Sequence, residues 1–344
     1  MELFQLTEAL VNIESVTGHE KACGEFVRDH LAARGFQVEL QPVSRDRANV
    51  WATCGTPEVV LSTHLDTVPP FFLAREDEEF IYGRGACDAK GIVAAQIVAA
   101  ERLRDSGVEG FGLLFLVGEE TVSDGAREAN LHPRGSRFLI NGEPTANKLV
   151  VGCKGNLRLD VRAKGKMAHS AYPHLGDSAI AKLLDVLGDL RKLHFREDPV
   201  LGPSTLNIGV VSGGRAANVI SDQASAQIAI RTVTDTAALR QEISDLIRGR
   251  CEFEFVRDTP PLRMEKLDGF ETGIVAFTTD LPALTNWGRP VLLGPGSIES
   301  AHTEQERVRK ADLVEAVELY CRLVKELKRA DAKEGRKIPQ EAEG

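Results

Sequence analysis

The chain has 344 residues, of which 42% are hydrophobic and 27% are charged, a length and composition that predict a soluble globular protein of two domains. Its net charge of −9 argues against nucleic acid or an anionic membrane surface as a partner. No stretch approaches the ~20 apolar residues of a membrane-spanning helix, and the segment 1–5 lacks the basic and apolar parts of a signal peptide. We therefore expect a cytoplasmic protein.

The six cysteines are widely spaced and form no Cys-x-x-Cys pair. This spacing predicts neither a disulfide framework nor a thiolate zinc site. We expect most of them, including Cys87 beside Asp88, to be small packed side chains.

Strand-like and helix-like patterns alternate over the first 150 residues. Thr17 and Glu20 have the spacing of a capping box, at the start of a helix that runs to Gly35. The other predicted elements of this part are strands over 36–40, 49–53, 59–61, 111–117 and 137–140 and a helix over 89–105. This alternation predicts an α/β fold with a mainly parallel, helix-covered sheet.

The middle of the chain, from 154 to 263, has the pattern of an inserted α+β domain with an antiparallel sheet. Its predicted elements are strands over 157–163, 205–211, 224–230 and 252–256 and helices over 177–193 and 236–247. The first domain would then be discontinuous, with residues 1–153 and 264–344. Its second part is predicted to hold a helix over 269–279, a strand over 291–293, a helix over 310–328 and a frayed, solvated tail in the last fifteen residues.

Acidic and histidine residues follow the apolar runs of the first domain or lie in its glycine-rich turns. They are His64, Asp88, the pair Glu119 and Glu120, Glu143 and His302. Two divalent ions about 3.5–4 Å apart need a bridging carboxylate, further carboxylate and histidine ligands and a free carboxylate that accepts a proton from water. In parallel sheets, ligands bind where strands end. These residues therefore predict a two-metal hydrolytic site.

Five segments around these residues resemble, in order, the motifs of the di-zinc aminoacylase superfamily of metallohydrolases. That superfamily contains acetylornithine deacetylase, succinyl-diaminopimelate desuccinylase, aminoacylases and related carboxypeptidases. The matching segments are 62–69, 83–91, 118–120, 142–145 and the run from 294–296 to Ala301-His302. The resemblance covers roughly residues 60 to 310, with the insertion in the expected place, and implies a catalytic domain with an inserted lid and dimerisation domain.

The resemblance implies two metal positions that share one carboxylate. His64, Glu143 and the bridging Asp88 would bind one ion, and Asp88, Glu120 and His302 would bind the other. Carboxylate and imidazole ligands suit zinc or cobalt, with manganese as a further candidate.

Two more residues of the same motifs are expected to act beside the ions. Glu119 would be the general base that accepts a proton from water and later protonates the leaving amine. Asp66, two residues after His64 on the same face of an extended segment, would accept the second N–H of the imidazole.

The inserted domain contains further segments that resemble the superfamily. His169 corresponds to a lid histidine that polarises the scissile carbonyl, commonly from a partner subunit, which implies a homodimer formed through the lid. Asn218, Arg231 and, in the first domain, Gly296 correspond to substrate-binding positions. A guanidinium suits a carboxylate because it offers two parallel donors, although a strand-end ion pair is the alternative role for Arg231.

The sequence thus predicts a metal-dependent amide hydrolase that removes an N-acyl group, expected to be acetyl, from a small amino acid. Glu143, where an aspartate is usual in the tripeptidase and bacterial dipeptidase branches, favours an enzyme like acetylornithine deacetylase. A succinyl-diaminopimelate desuccinylase and a carboxypeptidase or dipeptidase that cleaves short peptides are the alternatives within this chemistry. A catalytically silent binding protein would be expected to have lost Glu119 or a ligand, and a single-metal or cofactor-dependent enzyme would leave Glu120 or His302 without a role.

Overall fold

The computed structural model describes residues 1–264 and 266–334. The predicted frayed tail begins at 330; residues 330–334 belong to the last helix, and the rest of that segment lies outside the described residues.

The α-helices are α1 (Leu3–Val11), α2 (Lys21–Ala33), α3 (Lys90–Asp105), α4 (Asp124–Leu131), α5 (Ala179–Leu190), α6 (Ala237–Ile247) and α7 (Lys310–Glu334). The strands are β1 (Gln37–Ser44), β2 (Arg47–Cys54), β3 (Val59–His64), β4 (Arg75–Glu76), β5 (Phe80–Tyr82), β6 (Phe111–Leu116), β7 (Phe138–Asn141), β8 (Leu149–Cys153), β9 (Gly155–Lys164), β10 (Glu197–Asp198), β11 (Gly202–Pro203), β12 (Thr205–Gly213), β13 (Gln223–Thr232), β14 (Glu252–Thr259), β15 (Leu262–Arg263), β16 (Thr272–Val275), β17 (Arg289–Leu292) and β18 (Arg307–Arg309).

The chain forms two compact units. The first contains residues 1–151, 264–273 and 279 onward, and the second contains residues 152–263 and 274–278. The predicted boundaries, after 153 and after 263, lie close to these divisions, but the short segment 274–278 groups with the second unit.

The first unit is built on a six-stranded sheet with the order β1-β2-β6-β3-β7-β17. Strands β6, β3, β7 and β17 are parallel to one another, whereas β2 is antiparallel to β6 and β1 is antiparallel to β2. Every residue of β3, β6 and β7 is buried, as expected for strands covered on both faces. The predicted α/β fold with a mainly parallel sheet is confirmed.

Helix α3 lies at the centre of the first unit's core. It packs against α1, α7 and β3, and most of its residues are buried. Its alanines are small side chains, which allow neighbouring elements to pack closely on several sides of the helix. The long helix α7 is fixed to the sheet region by Tyr320, whose hydroxyl donates a 2.8 Å hydrogen bond to the carbonyl oxygen of Leu293.

The second unit contains an antiparallel sheet with the order β12-β13-β9-β14. Side chains of β9 and β13 alternate between buried and more exposed positions, the pattern of a sheet with one covered face. Leu157, Leu159, Ile228 and Ile230 belong to a separate hydrophobic core that also includes residues of α5 and α6. The predicted α+β insertion is confirmed.

Two local predictions were wrong. The segment 269–279 is not a helix: residues Thr272–Val275 form β16, in a three-stranded sheet with β8 and β15. The β-branched residues Thr272, Ile274 and Val275 favour this extended state. The capping box before α2 is also absent: Glu20 precedes the first helical residue, no side chain among the described residues accepts an N–H group of the first turn, and the Thr17 hydroxyl donates to Asp66 at 2.8 Å.

Within the described residues, none of the helices combines the length and the apolar character that a membrane crossing requires.

Candidate metal centre

The five predicted metal ligands lie in the first unit, either at the end of a strand or on a loop. His64 is the last residue of β3, Glu120 follows β6, and Glu143 follows β7. Asp88 lies just before α3, and His302 lies between β17 and β18. Because β3, β6, β7 and β17 are parallel, the loops after them start at the same edge of the sheet, where ligands bind in such folds.

The ligand atoms form two groups that share Asp88. One group contains His64, Asp88 and Glu143, the other contains Asp88, Glu120 and His302, and in each group the ligand atoms lie within 4.8 Å of one another. Oδ1 of Asp88 is 3.1 Å from Nε2 of His64, while Oδ2 is 3.3 Å from Nε2 of His302. The two oxygens of one carboxylate therefore face the two groups, as a bridging ligand requires.

An unpaired carboxylate oxygen and a rare backbone conformation are both features that bound cations would explain. Oε1 of Glu143 is buried and has no hydrogen-bond partner among the described residues, although a buried carboxylate oxygen without a partner is costly. His302 has a φ of +63°, a left-handed conformation that a non-glycine residue rarely adopts and that clusters at functional sites. A divalent ion would satisfy the Glu143 oxygen and give the His302 conformation a function.

The titrating groups of the site strongly influence one another. Burial opposes protonation of His64, but its hydrogen bonds with Asp66 and Asp88 outweigh this effect and raise its pKa well above the ordinary value. Hydrogen bonds with Asp88 and Glu120 raise the pKa of His302 to about 10. Burial raises the pKa of Glu143 well above its usual range, and nearby carboxylates add to the shift. Without a cation, protons on these side chains therefore offset the negative charge of the site.

Glu119 lies next to these ligands but belongs to neither group. It follows Gly118, whose φ is +79° and where a Cβ would collide with Oδ1 of Asp124, so this turn requires glycine. Burial raises the pKa of Glu119 well above its ordinary value, His64 partly offsets this, and the negative charge of Asp280 adds to it. A raised pKa suits a group that accepts and returns a proton near neutral pH.

The structure gives Asp66 a broader set of contacts than the predicted one. The nearest acceptor of the His64 Nδ1 atom is the carbonyl oxygen of Asp66 at 2.9 Å, while Oδ1 of Asp66 is 3.5 Å away. Its carboxylate accepts hydrogen bonds from the backbone N–H groups of Glu119 at 3.0 Å and Glu120 at 3.2 Å, and from the Thr17 hydroxyl. Asp66 thus connects the turn that carries Glu119 to the strand end that carries His64.

The predicted substrate-binding residues of the inserted domain all lie in the second unit. His169 and Asn218 are exposed and lie on adjacent segments, because the N–H of Ser170 donates to the Asn218 carbonyl at 3.0 Å. Arg231 lies in β13, and its Nη1 atom is buried without a hydrogen-bond partner among the described residues. Burial and the charge of Arg257 lower the pKa of Arg231. A buried guanidinium nitrogen without a partner is costly, and a carboxylate bound beside it would satisfy it.

Gly296, the remaining predicted substrate-binding residue, lies in the first unit and lines a cavity of about 460 Å³ together with Ser297 and Ser300. Its φ is +79°, and a Cβ there would come within 2.6 Å of Sγ of Cys87. The Cys87 thiol is buried and lies 3.4 Å from the Ser297 carbonyl oxygen, which agrees with the packed role predicted for it. Glycine at 296 therefore allows the 294–302 loop to lie against the residue that precedes Asp88.

Sequence reasoning missed two buried carboxylates near the site, Glu306 and Asp280. Glu306 is fully buried and accepts a 3.0 Å hydrogen bond from the backbone N–H of Asp88. Asp280 is 1% exposed, its Oδ1 has no hydrogen-bond partner among the described residues, and burial raises its pKa to about 7. Glu306 lies in the polar run 303–307, which resembles solvated surface, and Asp280 is a single carboxylate in the mixed segment 274–284, so neither position had a periodic pattern that indicates a buried carboxylate.

Comparison with known proteins gives a consistent result. Residues 60–326 match the sequence profile of peptidase family M20/M25/M40. A peptidase M20 domain-containing protein of Schizosaccharomyces pombe is 41% identical over 94% of this chain and 84% of its own length. A probable carboxypeptidase of Paracoccidioides brasiliensis is 36% identical, with the same two coverages.

Solved structures show the same fold at lower identity. A tripeptidase of Staphylococcus aureus superposes with a TM-score of 0.83 at 22% identity, covering 95% of this chain and 98% of its own. The YXEP protein of Bacillus subtilis, described as a dinuclear metal-binding peptidase from the M20 family, gives a TM-score of 0.69 at 18% identity, covering 94% and 96%.

Proposed function

Because this chain belongs to peptidase family M20/M25/M40, a family of metal-dependent amide hydrolases, we propose that it cleaves the amide bond between an acyl group and an amino acid that has a free carboxylate. N-acyl amino acids and short peptides both contain this bond. The observation that carries the proposal is the pair of three-residue ligand groups that share Asp88, with Glu119 a member of neither but close enough to feel the charges of His64, Glu120 and Asp88.

The ligand roles follow from the two groups. His64 and Glu143 would bind one ion, Glu120 and His302 the other, and Asp88 both. When bound, divalent ions supply Lewis-acid activation of a carbonyl group and of water.

Glu119 supplies the proton transfers. Its carboxylate accepts a proton from the attacking water and then donates it to the leaving amine nitrogen, so the amine departs as a neutral group. Asp66 fixes the turn on which Glu119 lies through the two backbone N–H groups described above.

The second unit supplies the proposed recognition of the substrate. Arg231 would bind the free carboxylate of the substrate, since its buried Nη1 atom lacks a partner among the described residues, and Asn218 would assist it. His169 would donate a hydrogen bond to the carbonyl oxygen as negative charge develops there. Gly296 would present its backbone to the substrate at the cavity that it lines with Ser297 and Ser300.

Two acyl classes are candidates within this chemistry. Glu143 as the outer carboxylate favours removal of a small acyl group such as acetyl, as in acetylornithine deacetylase, which would place the enzyme in arginine biosynthesis. The relatives named as probable carboxypeptidases, at 36–40% identity, favour release of a C-terminal amino acid from a short peptide. Both classes need the same carboxylate-binding group.

A substrate panel tests the proposal and decides between these classes. Zinc- or cobalt-loaded protein would be assayed with N-acetyl, N-succinyl and N-formyl amino acids and with di- and tripeptides, each beside a counterpart whose carboxylate is blocked as an amide. We expect hydrolysis of at least one class, at least tenfold slower for the blocked counterpart because a carboxylate–guanidinium contact of ~1.5–3 kcal/mol is lost. Equal rates for free and blocked substrates would contradict the proposed recognition.

We further propose that the protein is a homodimer formed through the second unit. Strand β12 is an edge strand of its sheet, and Val210 and Val211 on it are 51% and 56% exposed. Ile180 of α5 lies beside the end of β12, 3.1 Å from where a Cβ of Gly214 would be. An exposed apolar edge of this kind is suited to pairing with a second chain.

Light scattering after gel filtration tests the dimer. Val211→Glu should convert it to monomers, because it places a charge in the apolar edge, whereas Leu131→Glu, at a 72% exposed position of the first unit, should not. A dimer that is unaffected by Val211→Glu would show that another surface forms it.

The metal and the compartment are the remaining finer proposals. We propose zinc or cobalt, with manganese possible, because imidazole and carboxylate ligands suit these ions. All six cysteines are free thiols, which is compatible with the cytoplasm that we propose as the location.

A further inference from the structure

Glu306 is a buried carboxylate within an exposed loop. It lies four residues after His302 and just before β18. Its side chain is fully buried, whereas Thr303, Glu304 and Gln305 are exposed. A lone charge in this position costs free energy unless it is paired and hydrogen-bonded, so its contacts indicate its role.

The two oxygens of Glu306 have separate partners. Oε1 accepts hydrogen bonds from three backbone N–H groups, those of Gly85 at 3.0 Å, Cys87 at 3.1 Å and Asp88 at 3.0 Å. Oε2 accepts a 2.5 Å hydrogen bond from Nη1 of Arg84. One side chain thus fixes most of the backbone from 84 to 88, the segment that ends with the shared carboxylate.

These contacts exceed what charge compensation requires. Arg84 is itself 1% exposed, so the pair with Oε2 already neutralises the Glu306 charge. The three amides on Oε1 add something different, since they determine where the Asp88 backbone lies relative to the chain that carries His302. The Gly83 N–H also donates to the Glu306 carbonyl oxygen at 3.0 Å, which joins the two segments a second time.

We propose that Glu306 is a positioning residue that holds Asp88 in register with His302 and thereby makes both metal positions depend on one contact. This inference rests on the proposed ligand roles of Asp88 and His302. Asp88 belongs to both ligand groups, so a shift of its backbone alters both. Removal of Glu306 should therefore lower the affinity for both ions together, while loss of a terminal ligand should lower mainly the affinity for one of them.

The test compares Glu306→Gln and Glu306→Ala with the same substitutions at Glu304, an exposed carboxylate two residues away in the same loop. Each protein would be stripped with a chelator and titrated with Zn²⁺ against a chromophoric competitor. The absorption of bound Co²⁺ would report on ligand geometry. We expect both zinc affinities to fall about 10–100-fold in Glu306→Gln, the range for residues that orient metal ligands, and further in Glu306→Ala. The Glu304 variants should stay within about twofold of the original protein.

Glu306→Asp keeps the test decisive if Glu306→Ala does not fold. It preserves the charge opposite Arg84 but withdraws the acceptor from the three amides, so zinc affinity should fall at least tenfold in a protein with an unchanged circular dichroism spectrum. Folded Glu306 variants that bind zinc as tightly as the original protein would overturn the inference. A fall in the affinity for one ion alone would also overturn it. If the original protein itself bound no zinc, the ligand assignment and the proposed function would fail instead.

Discussion

Replacement of Asp66 by asparagine tests how the turn that carries the general base is held in place. The Asp66 carboxylate is fully buried, and its two oxygens accept the backbone N–H groups of Glu119 and Glu120 separately. The amide of asparagine has one oxygen and one NH₂ group. Whichever way the new side chain turns, one of these two N–H groups therefore faces another donor.

The size of the effect follows from that lost bond. A buried donor left without an acceptor costs about 1–3 kcal/mol, and each 1.4 kcal/mol is a factor of ten. We expect Asp66→Asn to lower kcat about 10–100-fold as the Glu119 turn shifts. Zinc content should change little, because the closest acceptor of the His64 Nδ1 atom is the Asp66 carbonyl oxygen, which the substitution retains.

Steady-state kinetics and metal analysis of the same preparations check this reasoning. Thr17→Val is the matched control: it removes the 2.8 Å hydroxyl contact to Oδ2 of Asp66 but leaves both backbone bonds, so kcat should stay within about threefold. Two results would refute the argument. Unchanged kcat in Asp66→Asn would show that the turn does not need the carboxylate, and loss of zinc would show that the carboxylate, rather than the carbonyl, holds the imidazole.

Four further outcomes are expected. Glu119→Gln should lower kcat by ~10²–10⁴-fold with normal metal content; loss of metal would identify Glu119 as a ligand. Arg231→Ala should mainly raise KM for substrates with a free carboxylate, and an unchanged KM would leave this residue a structural role. A verified mixed dimer of one His169→Ala chain and one Glu119→Gln chain should be more active than either variant alone if the histidine acts on the partner's site. Activity no higher than that of the single variants would place the action of His169 within its own chain. Burial raises the pKa of Glu119, Glu143 and Asp280, so the folded protein binds the protons on these carboxyl groups more tightly than the unfolded chain does. The free energy of unfolding of the metal-free protein should therefore fall as pH rises from about 4 through about 7. Thermal melts that show the opposite slope would contradict this assignment.

The sequence predicted those parts of the fold that depend on local pattern. Continuous apolar runs such as Phe111–Leu116 are recognisable as buried strands, and the predicted elements before residue 260 are present with ends that differ by a few residues. The prediction for the segment around Ile274 was wrong because its strand partner is β8, which lies more than a hundred positions earlier in the chain. The prediction of a helix cap at Thr17 was wrong for a similar reason, since its hydroxyl donates to a buried carboxylate 49 positions away in the chain.

The candidate site also contains residues that the local sequence indicates and a residue that only long-range contacts reveal. Position and chemistry indicated the candidate ligands, including His64 and Glu143 after apolar runs and His302 near a glycine-rich turn, and the family resemblance then implied how they divide between two metal positions. Glu306 could not be identified. It stands in the polar run 303–307, and its burial depends on a loop more than two hundred positions earlier in the chain. Long-range hydrogen bonds of this kind leave no periodicity to detect.

The electrostatics of the metal centre connect its stability to its chemistry. Burial and the like charge of Glu119 raise the pKa of Glu143, an arrangement that costs folding free energy at neutral pH. In the metal-free protein, protons on His64 and His302 offset part of that cost, but both rings must lose these protons in order to coordinate an ion. Protons and divalent ions therefore compete for the same site. A rise in pH weakens the metal-free fold and strengthens ion binding at the same time, so the stabilisation gained from metal should be largest where the hydrolytic reaction needs Glu119 as a base.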